Sequence, residues 1–114
     1  MSNCLFCKII AGDIPASIVY QDDTVFAFND ISPKAPVHVV VIPKKHIDNV
    51  QAAKPDDDVV LGALLRAASH VATLTGVADS GFRVVANAGP DAGQSVDHLH
   101  LHVLGGRSLA WPPG

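Results

Sequence analysis

Three histidines occupy alternate positions near the carboxyl end of the chain, at His98, His100 and His102. Side chains alternate between the two faces of a strand, so this spacing predicts three imidazoles on one face and apolar residues on the other. Imidazole titrates near neutral pH, and it can attack as a nucleophile, transfer a proton or bind a metal ion. Half of the six histidines lie in this short run, so we interpret it as a chemical site.

The spacing leaves two kinds of chemistry open. The Cα atoms of His98 and His102 would lie about 13 Å apart, so all three rings can hardly converge on one metal ion, although two of them can. The second kind is catalysis at phosphorus, in which one imidazole attacks while its neighbours donate to phosphate oxygens and to the leaving group. The preceding loop favours this chemistry, since its glycines would let backbone N–H groups approach an anion and its polar side chains add donors. These loop residues are Gly89, Gly93, Gln94 and Ser95.

The elements that must position these residues are predicted from periodicity and turn residues. Helical spacing predicts a short helix from Cys4 to Ala11 and a long helix that begins near Asp56 and ends at Gly76. Five strands are predicted over residues 17–21, 24–29, 37–42, 82–87 and 96–104. This order predicts an α+β fold with a five-stranded, mainly antiparallel sheet, in a single domain over residues 1–114.

The composition is that of a globular protein. Of 114 residues, 48% are hydrophobic and 17% are charged, which excludes a disordered chain. The net charge of −3 provides no general attraction to nucleic acid or to an anionic membrane, so neither is an expected partner. Glutamate is absent, so any carboxylate chemistry must come from aspartate.

Neither a secretory signal nor a membrane span is expected. The first ten residues lack a basic stretch followed by a long apolar run. The apolar runs are shorter, or more interrupted by polar residues, than the roughly 20 residues that a membrane span needs. Two cysteines are too few for a secreted disulfide scaffold. We therefore expect a cytoplasmic protein with reduced thiols.

Longer motifs carry a family resemblance. The run from Gly93 to Val96, followed by the alternating histidines from His98 to Leu104, resembles the histidine triad (HIT) family. Further segments are similar to the nucleotide-binding, purine-nucleoside phosphoramidase branch of that family, namely Asp30–Pro33, Pro36–His38, Ile42–Ile47 and Val103–Gly114. The resemblance implies cleavage of the P–N bond of purine nucleoside 5′-phosphoramidates such as AMP-lysine. It also implies that catalysis requires no cofactor and that the sheet continues across a homodimer.

The resemblance also implies roles for individual residues. His100 would be the nucleophile that takes the nucleoside monophosphate as a covalent intermediate, which water then releases. The residues that would assist at the phosphate, the leaving amine or the imidazole network are His38, Ser95, His98 and His102. Asp30 would bind the ribose hydroxyls. The positions that match the base pocket are Phe6, Ile9, Phe28, Ile31 and Val40, and those on the phosphate side are Asn87, Gly93 and Gln94, with Ser95, His100 and His102.

The cysteine pair departs from animal members of this branch and resembles many bacterial members, in which such a pair binds zinc with two histidines. The matching positions are Cys4, Cys7, His46 and His98, a sound tetrahedral set for structural zinc. Two thiols on a helix face and a redox pair are the alternatives. Zinc would leave His98 without a proton for catalysis, whereas His100 would remain available.

Two further functions are compatible with the same histidines. One is a dinucleoside polyphosphate hydrolase or nucleotidyltransferase, and the other is a nucleotide-binding regulatory partner with incidental activity. The Gly105-Gly106-Arg107 run and the final Trp-Pro-Pro-Gly favour the phosphoramidase branch.

Overall fold

The computed structural model describes residues 3–114, and its elements form one five-stranded sheet with a helix on each face. The helices are α1 (Leu5–Ala11) and α2 (Asp58–Leu74). The strands are β1 (Ile18–Gln21), β2 (Val25–Asn29), β3 (Val37–Pro43), β4 (Phe82–Val85) and β5 (Leu101–Gly105). Their order in the sheet is β1-β2-β3-β5-β4, and every neighbouring pair is antiparallel. The predicted α+β fold is confirmed.

Helix α1 is short and is defined by its two ends. The Cys4 side chain caps it by accepting the Cys7 N–H at 3.4 Å, and Gly12 ends it with a φ of +85°. Glycine adopts this left-handed conformation without steric cost. Phe6 and Ile9, three residues apart, are the buried side chains of the helix. The helix therefore presents Cys4, Cys7 and Phe6 to the sheet region that holds the histidines.

Strand alternation divides the apolar residues between two cores. The core under α2 contains the strand residues Val25, Ala27, Val39, Val41, Leu101 and Val103, with Leu99 just before β5. The smaller core under α1 contains Phe6, Ile9, Phe26, Phe28, Val40 and Ile42. Val40 pairs with His102 across β3 and β5, so the histidine side of β5 shares its face with the smaller core.

The last strand begins later than predicted, at Leu101 rather than Val96. The ladder between β3 and β5 ends at the pair Val41 and Leu101, and Pro43 lies just beyond it without an N–H to donate. The Leu99 N–H is donated instead to the carbonyl of Ile47, at 2.6 Å. Of the three histidines only His102 is therefore within a strand, although the predicted alternation holds because Leu99, Leu101 and Val103 are all buried.

Helix α2 begins at Asp58, after a 3₁₀ turn at Pro55–Asp57. Asp57 is buried, and its carboxylate accepts the Lys45 ammonium at 2.6 Å and the Lys54 N–H at 3.0 Å. The hydrogen bond from Lys45 lowers the pKa of Asp57 below its ordinary value. This contact joins the start of α2 to the segment that follows β3. In residues 3–114, neither helix has the length and apolar character needed to cross a bilayer.

Candidate active site and metal centre

Four side chains from three separate segments meet beside α1. They are Cys4, Cys7, His46 and His98, and their ligand atoms all lie within 4.8 Å of one another. The Nδ1 atom of His98 is 3.3 Å from Cys4 Sγ, 3.5 Å from Cys7 Sγ and 3.1 Å from His46 Nδ1. The Nδ1 atom of His46 is 3.4 Å from Cys7 Sγ. The fold thus gathers all four residues that the sequence predicts as metal ligands.

The outer nitrogens of the two histidines fix which atoms can bind a metal. His98 Nε2 lies 2.9 Å from the Pro43 carbonyl, and His46 Nε2 lies 2.9 Å from Asp48 Oδ1. Neither oxygen can donate a proton, so each neutral ring carries its proton on Nε2 and a lone pair on Nδ1. Such hydrogen bonds from the second ring nitrogen are typical of metal-binding histidines.

The spacing of these atoms fits a tetrahedral ion. With bonds of about 2.3 Å to sulfur and about 2.0 Å to nitrogen, ligand atoms in a tetrahedron lie about 3.3 Å to about 3.8 Å apart. The measured separations of 3.1 to 3.5 Å are close to that range. A cavity of about 620 Å³, bordered by Cys4, His46 and Ser95, gives the cluster access from solvent.

His100 lies between the cysteine–histidine cluster and His102. It is buried, with a relative exposure of 4%, and its Nδ1 lies 2.7 Å from the His98 carbonyl. A carbonyl only accepts, so a neutral His100 ring carries its proton on Nδ1 and a lone pair on Nε2. The Phe6 ring meets the His100 ring edge-on, with centroids 5.1 Å apart. His100 therefore has a fixed orientation and an unprotonated nitrogen suited to nucleophilic attack.

A second chain of hydrogen bonds determines the proton positions on His38 and His102. The Lys34 N–H donates to His38 Nδ1 at 3.0 Å, so a neutral His38 carries its proton on Nε2. That nitrogen lies 2.9 Å from His102 Nδ1 and donates to it. His102 consequently keeps its own proton on Nε2. Its ring lies beside His100, with centroids 5.0 Å apart, so a ring nitrogen with a lone pair and a ring N–H are neighbours.

Asp30 adjoins this chain but does not convert it into a metal site. Its Oδ2 is 3.4 Å from His38 Nε2, and its Oδ1 accepts the Ser32 N–H at 2.8 Å. Asp30, His38 and His102 also form a compact cluster of candidate ligand atoms. Both nitrogens of His38 are already committed, however, because Nδ1 accepts from Lys34 and Nε2 carries a proton. His38 therefore has no ring lone pair to offer a metal ion, whereas His46 and His98 each offer one on Nδ1.

Burial sets the charge of the inner histidines. Desolvation lowers the pKa of His38, His98 and His102 below the ordinary value of 6.5. The nearby Asp30 carboxylate opposes this effect at His38, and the neighbouring His100 and His38 reinforce it at His102. These rings are therefore neutral at pH 7, as the proton positions above require.

The proposed base-pocket positions separate into two groups. Phe6, Ile9, Phe28 and Val40 pack together in the core under α1, each with 3 to 8% of its surface exposed. Ile31 lies outside that cluster with its side chain fully exposed, at 100%. It follows Asp30 in the loop between β2 and β3, so an exposed apolar side chain lies next to the carboxylate.

The sequence was also compared with models of known protein families. A model of the HIT domain matches residues 11–109, which is most of the chain. The chain belongs to the HIT domain family.

Relatives of this HIT protein are similar over nearly their full lengths. An "uncharacterized HIT-like protein" of Synechocystis sp. is 54% identical over 112 residues, which cover 98% of this chain and 97% of the relative. The crystal structure of a HIT family hydrolase from Legionella pneumophila is 47% identical, with a TM-score of 0.96 over 98% of this chain and 100% of the other. A histidine triad protein from Clostridium difficile is 42% identical, with a TM-score of 0.92 and 96% of each chain covered.

The loop before the histidines differs from the expectation for this HIT protein. Gln94 uses its side chain within the fold, since Oε1 accepts the Gly89 N–H at 2.9 Å and Nε2 donates to the Asp48 carbonyl at 2.7 Å. The Gly93 N–H is donated to Pro90 at 3.0 Å. The two glycine N–H groups are therefore not directed at an anion as expected, because they satisfy the loop itself.

The remaining phosphate-side positions are at the surface. Asn87 is half-buried just beyond β4, and Ser95 is exposed at the rim of the cavity beside the cysteine–histidine cluster. Within residues 3–114, neither side chain hydrogen-bonds to His38, His98, His100 or His102. A ligand would have to connect them to those histidines.

Three groups that orient histidines in this HIT protein were not predicted from the sequence. Lys34 and Pro43 act through backbone atoms, which any residue type provides, apart from the N–H that proline lacks. Asp48 supports His46 through its carboxylate. The spacing of two residues between His46 and Asp48 is the one signal in the sequence that could have indicated this contact.

Proposed function

We propose that this chain is a nucleotide-binding hydrolase that cleaves the P–N bond of purine nucleoside 5′-phosphoramidates through a nucleotidyl-His100 intermediate. A structural zinc ion and a homodimer complete the proposal. The observation that carries it is the pair of fixed proton positions: a lone pair on His100 Nε2 beside a proton on His102 Nε2. A nucleophile and an acid in contact are what an amine leaving group on phosphorus requires.

The first step forms the intermediate. His100 Nε2 attacks the phosphorus atom, and the P–N bond to the leaving amine breaks. The electron pair of that bond goes to the amine nitrogen, which takes the proton from His102 Nε2. The transfer leaves a negative charge on the His102 ring, which the hydrogen bond from His38 Nε2 to His102 Nδ1 stabilises. A positive charge arises at the same time on the neighbouring His100 ring, whose centroid is 5.0 Å away, when its Nε2 bonds to phosphorus.

The second step releases the nucleotide. Water attacks the phosphorus atom and gives a proton to His102 Nε2, which the first step left without one. The bond between phosphorus and His100 Nε2 breaks, and its electron pair returns to the ring. The products are the amine and the nucleoside monophosphate, and both histidines recover their starting proton positions.

The substrate class is supported by the surfaces around the histidines. The Phe6 ring meets the His100 ring edge-on, and Ile31, which follows Asp30 in the chain, leaves a fully exposed apolar side chain that a purine base would cover. Each Asp30 oxygen retains an acceptor position for a ribose hydroxyl. Of the four phosphate-side positions, Asn87 and Ser95 are the ones proposed to contact the phosphate, since the Gly93 N–H and the Gln94 side chain already hydrogen-bond within the fold.

Zinc fits the cluster of Cys4, Cys7, His46 and His98. The two Nδ1 atoms lie 3.1 Å apart, each with a cysteine Sγ 3.3 to 3.5 Å away, so nitrogen and sulfur donors converge as zinc requires. When bound, zinc would act as a structural cross-link, because four protein ligands leave no open position for substrate. His98 then serves catalysis through its backbone carbonyl, which orients His100.

The homodimer is supported by the edge of the sheet. Strand β4 pairs with β5 on one side and lies at the end of the strand order. An edge strand offers N–H and C=O groups to a second copy of the strand. Val84 on β4 is partly exposed at 36%, so Val84→Asp should shift the sedimentation mass from that of two chains to that of one. A wild-type chain that sediments as a monomer would reject the dimer.

Trapping the intermediate is the direct test of the function. Mass spectrometry of the wild-type protein with a slow phosphoramidate should detect one nucleotidyl group on His100. His100→Ala should lose this adduct and turnover but keep nucleotide binding, whereas His70→Ala, a control on the exposed side of α2, should keep all three. Full activity of His100→Ala would reject the nucleophile. Faster hydrolysis of a diadenosine polyphosphate than of the phosphoramidate would favour the other enzyme class.

A further inference from the structure

The loop that orients His38 is held from outside by an arginine. Arg107 follows β5, and its Nη2 donates to the Lys34 carbonyl at 3.0 Å, across 73 positions in the chain. Its Nη1 donates to the Ser108 carbonyl at 3.0 Å, which restrains the guanidinium plane. The carbonyl that Arg107 holds belongs to the same residue whose N–H donates to His38 Nδ1.

The approach of the two segments is close. Gly106 has a φ of +91°, and a Cβ atom at this position would lie 2.8 Å from Pro36 Cβ. The turn after β5 therefore packs directly against the loop between β2 and β3. Lys34 is restrained from within that loop as well, since its Nζ donates to the Ser32 carbonyl at 3.0 Å and to its hydroxyl at 3.1 Å.

We infer that Arg107 is a positioning residue that holds the Lys34 backbone so that its N–H sets the proton position on His38. If the Lys34 N–H moved away, His38 could carry its proton on Nδ1 and accept from His102 instead. The hydrogen-bond chain would then run in reverse, and His102 Nε2 would have no proton for the leaving group. With the Lys34 N–H in place, this reversed state brings two donors together in a buried site, which is strongly unfavourable.

The expected change in kcat rests on the proposed function, whereas the expected proton position on His38 does not. Imidazole ¹⁵N NMR of the wild-type protein reports directly which nitrogen of His38 carries the proton, and it needs no substrate. The expected spectrum shows protonated Nε2 and unprotonated Nδ1. A wild-type His38 protonated on Nδ1 would overturn the inference even in an active enzyme, whereas an inactive wild type with the expected spectrum would reject only the proposed function.

Paired variants test the two links. Arg107→Gln and Lys34→Pro, which removes the N–H, should each lose the fixed Nε2–H spectrum and lower kcat for a phosphoramidate about 10- to 100-fold. The KM should change less than about threefold, because neither residue is placed on the substrate. Arg107→Lys, which retains a cationic donor, should restore most of kcat.

A matched control separates the position of the arginine from the loss of a positive charge. Arg66→Gln removes an exposed arginine from α2, so it should retain the wild-type spectrum and kcat. If Lys34→Pro does not fold, Arg107→Gln decides the question alone. An Arg107→Gln protein with the wild-type His38 spectrum and wild-type kcat would overturn the inference.

Discussion

The Nδ1 atoms of His46 and His98 lie 3.1 Å apart although the residues are 52 positions apart in the chain. In each neutral ring the Nε2–H donates a hydrogen bond, from His46 to the Asp48 carboxylate and from His98 to the Pro43 carbonyl. With both rings neutral, the Nδ1 lone pairs face each other and the two cysteine sulfurs, a donor set suited to a cation. The fold thus keeps an electron-rich centre directly beside the backbone carbonyl that orients the proposed nucleophile.

Removing one ligand should remove the metal. Cys7→Ala should reduce zinc from about one equivalent per chain to near zero and lower the thermal unfolding temperature, since bound metal stabilises the folded state by about 4 kcal/mol when its concentration is a thousandfold above Kd. Elemental analysis and thermal unfolding measure the two effects. Asp48→Asn keeps all four ligands and should weaken zinc affinity about 10- to 100-fold. Freshly purified, reduced wild-type protein without zinc would contradict the site.

The effect of replacing His102 on kcat should depend on the leaving group of the substrate. His102→Gln should lower kcat about 10²- to 10⁴-fold for a phosphoramidate, because the amine cannot leave without a proton. The loss should be much smaller for a nucleotide ester with a nitrophenolate leaving group, which departs as an anion. Steady-state kinetics on both substrates tests this difference. Equal losses on the two substrates would argue against proton donation by His102.

Stability should fall on the acid side of neutrality. Burial lowers the pKa of His38 and His102 in the folded protein below the ordinary 6.5, so the unfolded chain binds more protons as the pH drops through that range. Their contribution to stability is complete above about pH 6.5 and is lost as the pH falls toward the folded-state pKa values. Thermal unfolding from about pH 7 to about pH 5 should therefore show a falling midpoint.

Replacing one buried histidine should reduce that pH dependence. His38→Asn keeps an acceptor for the Lys34 N–H but removes the titrating ring, so its unfolding midpoint should change less with pH than that of the wild type. His70→Asn replaces an exposed histidine and should keep the wild-type slope. Any zinc contribution is common to all three proteins, since neither substitution touches a ligand. An unchanged slope in His38→Asn would contradict the prediction.

Close packing at Gly106 should make its substitution costly. Gly106→Ala places a Cβ 2.8 Å from Pro36 and also strains a φ of +91°. Gly76→Ala is the matched control, because its φ is +80° and a Cβ there would meet nothing within 4 Å. We expect the positive φ to cost each variant about 1–2 kcal/mol in free energy of unfolding, and Gly106→Ala to lose a further 1–3 kcal/mol or so from overpacking. Denaturant unfolding measures both, and equal losses would contradict the close contact.

The sequence alone was sufficient for the class of fold and for part of the grouping of the site residues. Period-two and helical patterns predicted five strands and two helices, because an element with one buried face carries apolar residues at that period. The cysteine–histidine cluster and His38 with Asp30 and His102 do lie together, whereas Ile31 lies outside the apolar cluster of the other base-pocket positions.

The start of β5 and the proton positions were decided by the tertiary structure. The ladder ends early because Pro43 cannot continue it and because Leu99 pairs with Ile47. The same long-range packing brings the Pro43, His98 and Lys34 backbone groups to three imidazoles and so selects which nitrogen of each carries its proton. Backbone atoms are the same for almost every residue type, so a sequence pattern holds no record of where they will meet a side chain. The proton positions on which the proposed roles of His100 and His102 depend are therefore a property of the folded chain.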